Sequence, residues 1–309
     1  MVRFFFGVKS RRARARARKG IVLADMGITK QTQVRYFTAV GRIIDKLNLC
    51  STFQQMDEVL SAWVNQCFHR GEPINTIADC LSGVHYYLPM TRRQLPEAWK
   101  LYSIWKKYEI PSRAAPLTAD ITLALASRAL QQGNLSLGCL ILLGFHCLLR
   151  TGEILKVKPR DILLAKGTGI VRLTSSKGGV RHNMVESVTI EDPTVRLVLA
   201  EVLDYKSKCG LFNVPIWEKS GSSFRHHFLE LLKFFQITHL NFRPYSLRRG
   251  GATAYFQKCG LMERTLIRGR WASVAAAKIY IADALSQIPE LRCTQQCKEK
   301  IDAYCKFFR

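Results

Sequence analysis

Residues 245–253 read Tyr-Ser-Leu-Arg-Arg-Gly-Gly-Ala-Thr, and this stretch carries more information about the fold than any other in the 309-residue chain. It predicts a helix that begins near Ser246 and ends at Gly260, because glycine commonly closes a helix. Two other segments gain meaning beside it. Residues 148–154 read Leu-Leu-Arg-Thr-Gly-Glu-Ile, and Gly-Arg-Trp at 269–271 is followed by Tyr280, nine residues after the tryptophan.

A predicted strand–turn–strand lies between residues 154 and 245. Residues 170–174 and 185–190 are typical of short strands, and Ser-Ser-Lys-Gly-Gly at 175–179 lies in their connection. Helices are predicted at 134–149, 193–205, 222–235 and 273–287. The sequence therefore predicts a mixed helix and strand region in the second half of the chain.

Taken in chain order, these segments resemble the tyrosine recombinase (phage integrase) family, over most of the chain. Each short motif is weakly specific, whereas the full order is specific. The form Ser-Leu-Arg-Arg-Gly-Gly-Ala looks like the eukaryotic, mobile-element-like branch. The resemblance implies a helical core-binding domain and a catalytic domain that clamp DNA between them. The matching positions are Arg150 and Glu153, Lys177, Tyr245 to Arg248, Trp271 and Tyr280.

The expected chemistry is strand cleavage and rejoining through a 3′-phosphotyrosine. Attack by Tyr280 would be covalent catalysis that keeps the bond energy in the phosphotyrosine, so it requires no cofactor, metal or external energy source. Arg150 and Arg248 are the candidates to clamp the phosphate oxygens, since guanidinium groups are planar, permanently charged donors. Preorganised charge of this kind is worth ~3 kcal/mol per donor.

The remaining site residues have supporting roles. Lys177 is the candidate general acid for the leaving 5′ oxygen, although Lys166 or Arg181 are alternatives. By resemblance, Trp271 packs beside the phosphate and donates its indole N–H. Glu153 would orient Arg150 from behind.

Each residue taken singly also has a purely structural interpretation. Arg150 is compatible with a position at the C-terminal end of the preceding helix, where a positive charge stabilises the helix dipole. Arg248 is compatible with an ordinary phosphate contact on a basic face, and Lys177 with a solvated turn. Trp271 suits a core position, and Tyr280 suits a buried tyrosine whose hydroxyl is satisfied by a neighbour.

Tyr245 departs from the family pattern, which usually has histidine there. Tyrosine has an ordinary pKa near ~10 and does not readily accept a proton at neutral pH. Tyr245 can still donate a hydrogen bond to the phosphate, so binding should survive while the rate falls. Arg249 and Arg270 are expected to contact DNA and to add positive charge near Tyr280. A DNA-binding protein of this fold without catalysis is therefore one alternative, and a type IB topoisomerase is another.

The overall charge points to a polyanionic partner. The chain has 47 basic and 23 acidic residues and a net charge of +24, which favours double-stranded DNA. A basic chromatin- or RNA-associated protein without phosphate chemistry is a further alternative. A membrane is disfavoured, because the most apolar stretch, 135–149, is short and is followed at once by Arg150. No secretory signal is recognisable, so the protein is not expected to be secreted.

The first twenty residues are expected to form a basic disordered arm that follows phosphates or acts as a nuclear import signal, although a solvated tail fits equally well. Nuclear localisation is inferred from this arm. The DNA-binding candidates in it are Arg11, Arg12, Arg14, Arg16 and Arg18.

The predicted fold class is mostly α with a small β-sheet (α+β). Two prolines, at 111 and 116, mark an extended linker, and Thr118 is the expected cap of the next helix. In the first domain, a stripe comprising Val34, Phe37, Val40, Ile43 and Ile44 is expected to be core. The predicted divisions are a basic arm (1–24), a helical core-binding domain (25–110), a linker (111–117), a catalytic domain (118–290) and a basic tail (291–309).

The ten cysteines contain no Cys-x-x-Cys pair, and free thiols are expected. Cys293, Cys297 and Cys305 lie close together, but a zinc site would need a fourth ligand, so no metal is predicted.

The family resemblance also implies a homo-oligomer, a tetramer on two DNA sites.

Overall fold

The computed structural model describes residues 19–20, 27–109, 113–174, 185–281 and 292–308. The chain divides into two compact units, residues 1–112 and 113–309. This division falls inside the predicted linker. Most of the predicted arm, residues 110–112 of the linker region and the boundary near 290 lie outside the described residues.

The first unit is helical. Thr29 and Thr52 cap the first and third helices, because their side chains accept hydrogen bonds from the backbone N–H of Thr32 and Gln55. The first helix packs against the fourth, and the third against the fifth. The helices of this unit are α1 (Lys30–Gly41), α2 (Ile44–Leu47), α3 (Phe53–His69), α4 (Ile74–Tyr87) and α5 (Pro96–Tyr108).

The expected core face of α1 is partly wrong. Val40 and Ile43 are buried, but Val34 is 64%, Phe37 is 73% and Ile44 is 38% exposed. The face of α1 that meets α4 runs through Tyr36 and Val40, whose side chains lie against Gly83. The helix is therefore rotated away from the face that the hydrophobic pattern favours.

The second unit surrounds a buried helix. Helix α7 (Leu135–His146) is almost wholly buried and follows its cap Asn134, the first residue of the predicted helix, and α6 (Ala119–Gln131) begins after Thr118 as predicted. The other helices are α8 (Thr151–Ile154), α9 (Pro193–Lys208), α10 (Gly221–Phe234), α11 (Tyr245–Cys259), α12 (Met262–Gly269), α13 (Val274–Lys278) and α14 (Gln295–Cys305). The 3₁₀ turns among the described residues are Pro89–Thr91, Pro159–Asp161, Thr238–Leu240 and Lys306–Phe308.

A small antiparallel sheet completes this unit, in the order β1 (Ile162–Ala165), β2 (Thr168–Leu173) and β3 (Glu186–Thr189). Ile162 pairs with Val171, and Val171 pairs with Val188 across β2. The two predicted strands are confirmed as β2 and β3, whereas β1 was not predicted. The predicted class, mostly α with a small β-sheet, is confirmed.

Helix α11 runs through the core of this unit, and a pair of glycines makes that possible. A Cβ on Gly250 would lie 2.0 Å from the carbonyl oxygen of Leu117, and one on Gly251 would lie 2.0 Å from that of Phe145. The helix ends at Gly260, in the left-handed conformation with φ 65°, as predicted. The glycine pair thus brings the backbone of α11 against two neighbouring segments.

Among the described helices, none combines the length and the apolar character that crossing a lipid bilayer demands.

Candidate active site

Four segments of the second unit bring the predicted site residues together. Arg150 caps the start of α8, and Tyr245 and Arg248 lie one turn apart on α11. Residues 269–271 form the end of α12 and the two positions after it, and Tyr280 follows the short α13. The predicted last helix, 273–287, is observed only as α13, and residues 282–287 lie outside the described residues.

Arg248 is the buried centre of this cluster. It is 0% exposed, its Nη1 donates to the carbonyl of Leu148, and its Nη2 donates to that of Gly269 at 2.6 Å. Its guanidinium carbon lies 4.9 Å from the ring centre of Trp271 and 5.1 Å from that of Tyr280. Burial, together with nearby cations, lowers the pKa of Arg248 to about 10, so the group stays charged at neutral pH.

The Glu153 carboxylate accepts hydrogen bonds from both the backbone and the side chain of Arg150. The backbone N–H of Arg150 donates to Glu153 Oε2 at 2.8 Å, and its Nη1 donates to Oε1 at 2.6 Å. Burial alone raises the pKa of Glu153, but the charge of Arg270 and the bonds from Arg150 outweigh it and hold this pKa below its ordinary value. The Arg150 side chain keeps 27% of its surface exposed, so it is held from one side and open on the other.

The rings of Trp271 and Tyr245 flank Tyr280. The ring centres of Trp271 and Tyr280 are 4.8 Å apart, and those of Tyr245 and Tyr280 are 5.6 Å apart. The Tyr245 and Tyr280 hydroxyl groups lie near enough to shift each other's pKa. The two phenols therefore form a pair beside the buried cation.

The two phenols of this pair have opposite proton affinities. Burial and the hydrogen bond to Tyr280 raise the pKa of Tyr245. Burial also raises the pKa of Tyr280, but the hydrogen bond from Tyr245 and the charges of Arg248 and Arg150 outweigh burial and lower it. Tyr245 therefore donates, and Tyr280 is the phenol that loses its proton more readily.

Gly269 makes room for Trp271. A Cβ on Gly269 would lie 1.8 Å from Cζ3 of the Trp271 indole. The indole N–H is buried beside Tyr280 and helps to lower the pKa of that phenol. Arg248 Nε is also buried, without a hydrogen-bond partner in the described part of the chain, so it is a donor available to an oxyanion.

Arg249 and Arg270 do not lie on an exposed surface, where the sequence analysis places DNA contacts. Arg249 is 3% exposed and donates to the carbonyl of Ala114. The Arg270 side chain is 7% exposed, and its Nη2 donates to Glu153 Oε2 at 2.7 Å. Both guanidinium groups are turned inward because buried oxygen acceptors lie within their reach.

The other predicted residues are not tested by the structure. Lys177 and its alternative Arg181 lie outside the described residues, as do Arg11, Arg12, Arg14, Arg16 and Arg18. The described residues contain no group of three or more His, Cys, Asp and Glu side chains arranged to hold a metal ion. Cys297 and Cys305 are buried thiols on the apolar side of α14.

Glu186 and Arg268 also contribute to this region, and neither was identified from the sequence. Glu186 lies on β3, and its Oε2 is 3.5 Å from Arg270 Nε. Arg268 donates to Thr189 Oγ1 at 2.6 Å and to the carbonyl of His146 at 2.9 Å. Strand alternation offered a signal for Glu186, because it shares a face of β3 with the buried Val188.

No protein-family model matches the sequence, and no curated protein matches it. Solved structures do resemble the chain. A lambda integrase dimer bound to a COC′ core site is 18% identical, with a TM-score of 0.56 over 87% of this chain and 94% of that one. The Tn1549 transposon integrase in complex with transposon right end DNA is 14% identical, with a TM-score of 0.54 over 90% and 96%.

A lambda integrase tetramer bound to a Holliday junction is also similar, at 18% identity and a TM-score of 0.51 over 84% of this chain and 74% of that one. At such identities the likeness concerns the fold. The fold of this chain is that of the tyrosine recombinases and integrases.

Proposed function

We propose that the protein cleaves and rejoins DNA through a phosphotyrosine formed on Tyr280. The observation that carries this proposal is the packing of the Trp271 and Tyr280 rings beside the guanidinium of Arg248. A tyrosine whose pKa is lowered, next to a buried cation with a spare donor, is suited to attack a phosphodiester.

The reaction has two balanced steps. The Tyr280 oxygen, after its proton has passed to solvent, attacks the phosphorus, the bond to the 5′ oxygen of DNA breaks, and that oxygen takes up a proton from the general acid to leave as a hydroxyl. In rejoining, the 5′ hydroxyl returns its proton to that group and attacks the phosphotyrosine, and the electron pair of the broken bond returns to the Tyr280 oxygen, which is then reprotonated from solvent. Arg150 and Arg248 stabilise the charge that develops on the phosphate oxygens in both steps.

Tyr245 assists by donating rather than by accepting a proton. Its hydroxyl donates toward Tyr280 and favours the phenolate, which is the nucleophilic form. In rejoining, the same donor stabilises the departing phenolate. The proton donor for the 5′ oxygen is assigned to Lys177, by the family resemblance alone.

Double-stranded DNA is the proposed partner, since the chain has a net charge of +24. We propose recombination or integration of a mobile element as the setting, a tetramer on DNA as the active assembly, and the nucleus as the location. The fold likeness to a lambda integrase tetramer bound to a Holliday junction supports the oligomer.

A second candidate function is DNA binding without cleavage. The presence of Tyr245 where the family usually has histidine favours it, because the expected proton acceptor is missing. Under this alternative, the Tyr245→His variant would gain cleavage that the native chain lacks.

The test is covalent trapping on nicked duplex DNA whose leaving strand diffuses away after cleavage. A library of degenerate sites is needed, because the target sequence depends on base contacts. We expect a protein–DNA adduct that survives denaturation and is absent from Tyr280→Phe. No adduct, together with tight salt-sensitive binding, would favour the second candidate function.

Incubation with supercoiled plasmid separates recombination from topoisomerase activity. Recombinant or Holliday-junction products are expected from a recombinase. Relaxed plasmid without exchanged partners would instead indicate a type IB topoisomerase.

A further inference from the structure

Arg270 has a backbone conformation that most side chains avoid. It closes α12 with φ 57° and ψ 46°, in the left-handed region where glycine is favoured. Its side chain is nevertheless 7% exposed and surrounded by oxygen acceptors. A buried arginine at a position that favours glycine calls for a role of its own.

The contacts of Arg270 lead to Glu153. Its Nη2 donates to Glu153 Oε2 at 2.7 Å and to the Leu148 carbonyl at 3.3 Å, and its Nη1 donates to the Cys147 carbonyl at 3.4 Å. Its Nε lies 3.5 Å from Oε2 of Glu186 on β3. Arg270 therefore connects the segment before α8 with the edge strand of the sheet.

Glu153 has two neighbouring cations beyond Arg150. Its Oε2 is 2.7 Å from Arg270 Nη2 and 3.8 Å from Arg248 Nη1. The shorter distance gives Arg270 the direct hydrogen bond. Arg248 instead directs its donors to backbone carbonyls and keeps Nε without a partner among the described residues.

We propose that Arg270 is a positioning residue that holds the Glu153 carboxylate away from Arg248, so that Arg248 remains available to the DNA phosphate. The proposal rests on the proposed function for the identity of the phosphate. Without Arg270, the Glu153 carboxylate would pair with Arg248 and compete with the phosphate for it. The sequence neighbours of Arg270 strengthen the assignment, because Gly269 supplies a carbonyl to Arg248 and Trp271 stacks on it.

The decisive variant is Arg270→Gly in the full chain, since glycine keeps the left-handed backbone and removes only the side chain. With the nicked DNA substrate at saturation, we expect adduct formation to slow by about 10²-fold, as for a displaced catalytic group. We expect the Kd for DNA to change by less than about threefold, because many phosphate contacts share the binding.

The double variant Glu153→Gln with Arg270→Gly tests whether Arg270 acts through the Glu153 carboxylate. Glutamine keeps an oxygen acceptor for the Arg150 N–H but has no charge to compete for Arg248. Recovery of about 10-fold over Arg270→Gly is expected, since a merely structural defect would not be repaired by removing a carboxylate.

Arg268→Gln is the matched control, because Arg268 is also a buried arginine near α12 but donates to Thr189, Glu191 and the His146 carbonyl. Glu153→Gln should not rescue any slowing that it causes. A wild-type rate for Arg270→Gly, or an equal rescue of Arg268→Gln, would overturn the proposal.

A second readout separates this proposal from the proposed function. If the native chain forms no adduct, the proposed function fails, and the Glu153 carboxyl is then followed by carbon-13 NMR, assigned by its loss in Glu153→Gln. A higher Glu153 pKa in Arg270→Gly than in the native chain would support the positioning role. An unchanged titration would reject it.

Discussion

The indole of Trp271 lies 4.8 Å from the phenol of Tyr280, centre to centre, at an interplanar angle of 40°. This placement depends on Gly269, because a Cβ there would lie 1.8 Å from the indole. We therefore predict that Gly269→Ala displaces Trp271 and slows adduct formation by about 10²-fold, as a misplacement near 1 Å does. Single-turnover kinetics on the nicked substrate measure it.

Gly41→Ala serves as the control for this substitution, because nothing lies within 4 Å of a Cβ at Gly41. It should leave the rate unchanged. An unaltered rate in Gly269→Ala would show that the position of Trp271 does not matter for chemistry.

Gly251→Ala is predicted to destabilise the second unit by about 1–3 kcal/mol or more, because its Cβ would lie 2.0 Å from a backbone oxygen that has no room to move. Urea unfolding measures this change in the free energy of unfolding. The matched control is Gly152→Ala, a helical position in open space, which should stabilise by about 0.4–1 kcal/mol. Equal effects of the two variants would contradict the close approach at α11.

Tyr245→Phe is predicted to raise the pKa of Tyr280, because it removes the hydrogen bond that favours the phenolate. The fraction of ionised Tyr280 at a given pH then falls, so the rising limb of the rate against pH moves to higher pH. The rate of adduct formation measured from pH 6 to pH 10 is the readout. A limb that stays in place would show that Tyr245 does not act on the nucleophile.

The stability of the first unit is predicted to fall with acidification because of His85. His85 Nε2 accepts from the Trp99 indole N–H at 2.7 Å, so Nδ1 carries the proton and faces Thr91 Oγ1 at 2.9 Å. A second proton would oppose the Trp99 donor. Burial, helped by the charge of Arg92, lowers the pKa of His85 below its ordinary value of 6.5.

The direction of this change in stability depends on how many protons His85 binds in the folded and unfolded states. The unfolded chain binds a proton near pH 6.5 and the folded chain only at lower pH, so the contribution is complete above pH 6.5 and is lost as the pH falls below it. Urea unfolding at several pH values, followed by tryptophan fluorescence, measures it. In Trp99→Phe the opposing donor is absent, and the dependence on pH should weaken. A dependence as steep as in the native chain would refute the role of this contact.

The helices of the second unit were predictable because local signals act within a few residues. Thr118 and Gly260 are caps that the sequence identifies directly. Strand β1 was overlooked because its four apolar residues carry no alternation, and its pairing with β2 is a tertiary choice. The exposure of Phe37 could not be predicted from the sequence either, because the rotation of α1 about its axis depends on the helix that packs against it.

The candidate site shows the same division. The motif order predicted which residues would share a site, and Arg150, Arg248, Trp271 and Tyr280 do lie in one cluster. It did not predict the direction in which Arg270 points. In a basic chain, an arginine is expected to lie on the surface and contact DNA. The buried hydrogen bond from Arg270 to Glu153 is visible only in the three-dimensional structure.

The carbonyl oxygens of Leu148 and Gly269, which hold Arg248, belong to the main chain. A side-chain substitution at either position does not remove these acceptors. The position of the Arg248 guanidinium therefore depends on the backbone conformation and not on which side chains these two residues carry. Sequences can drift far apart around such a cation while it stays in place.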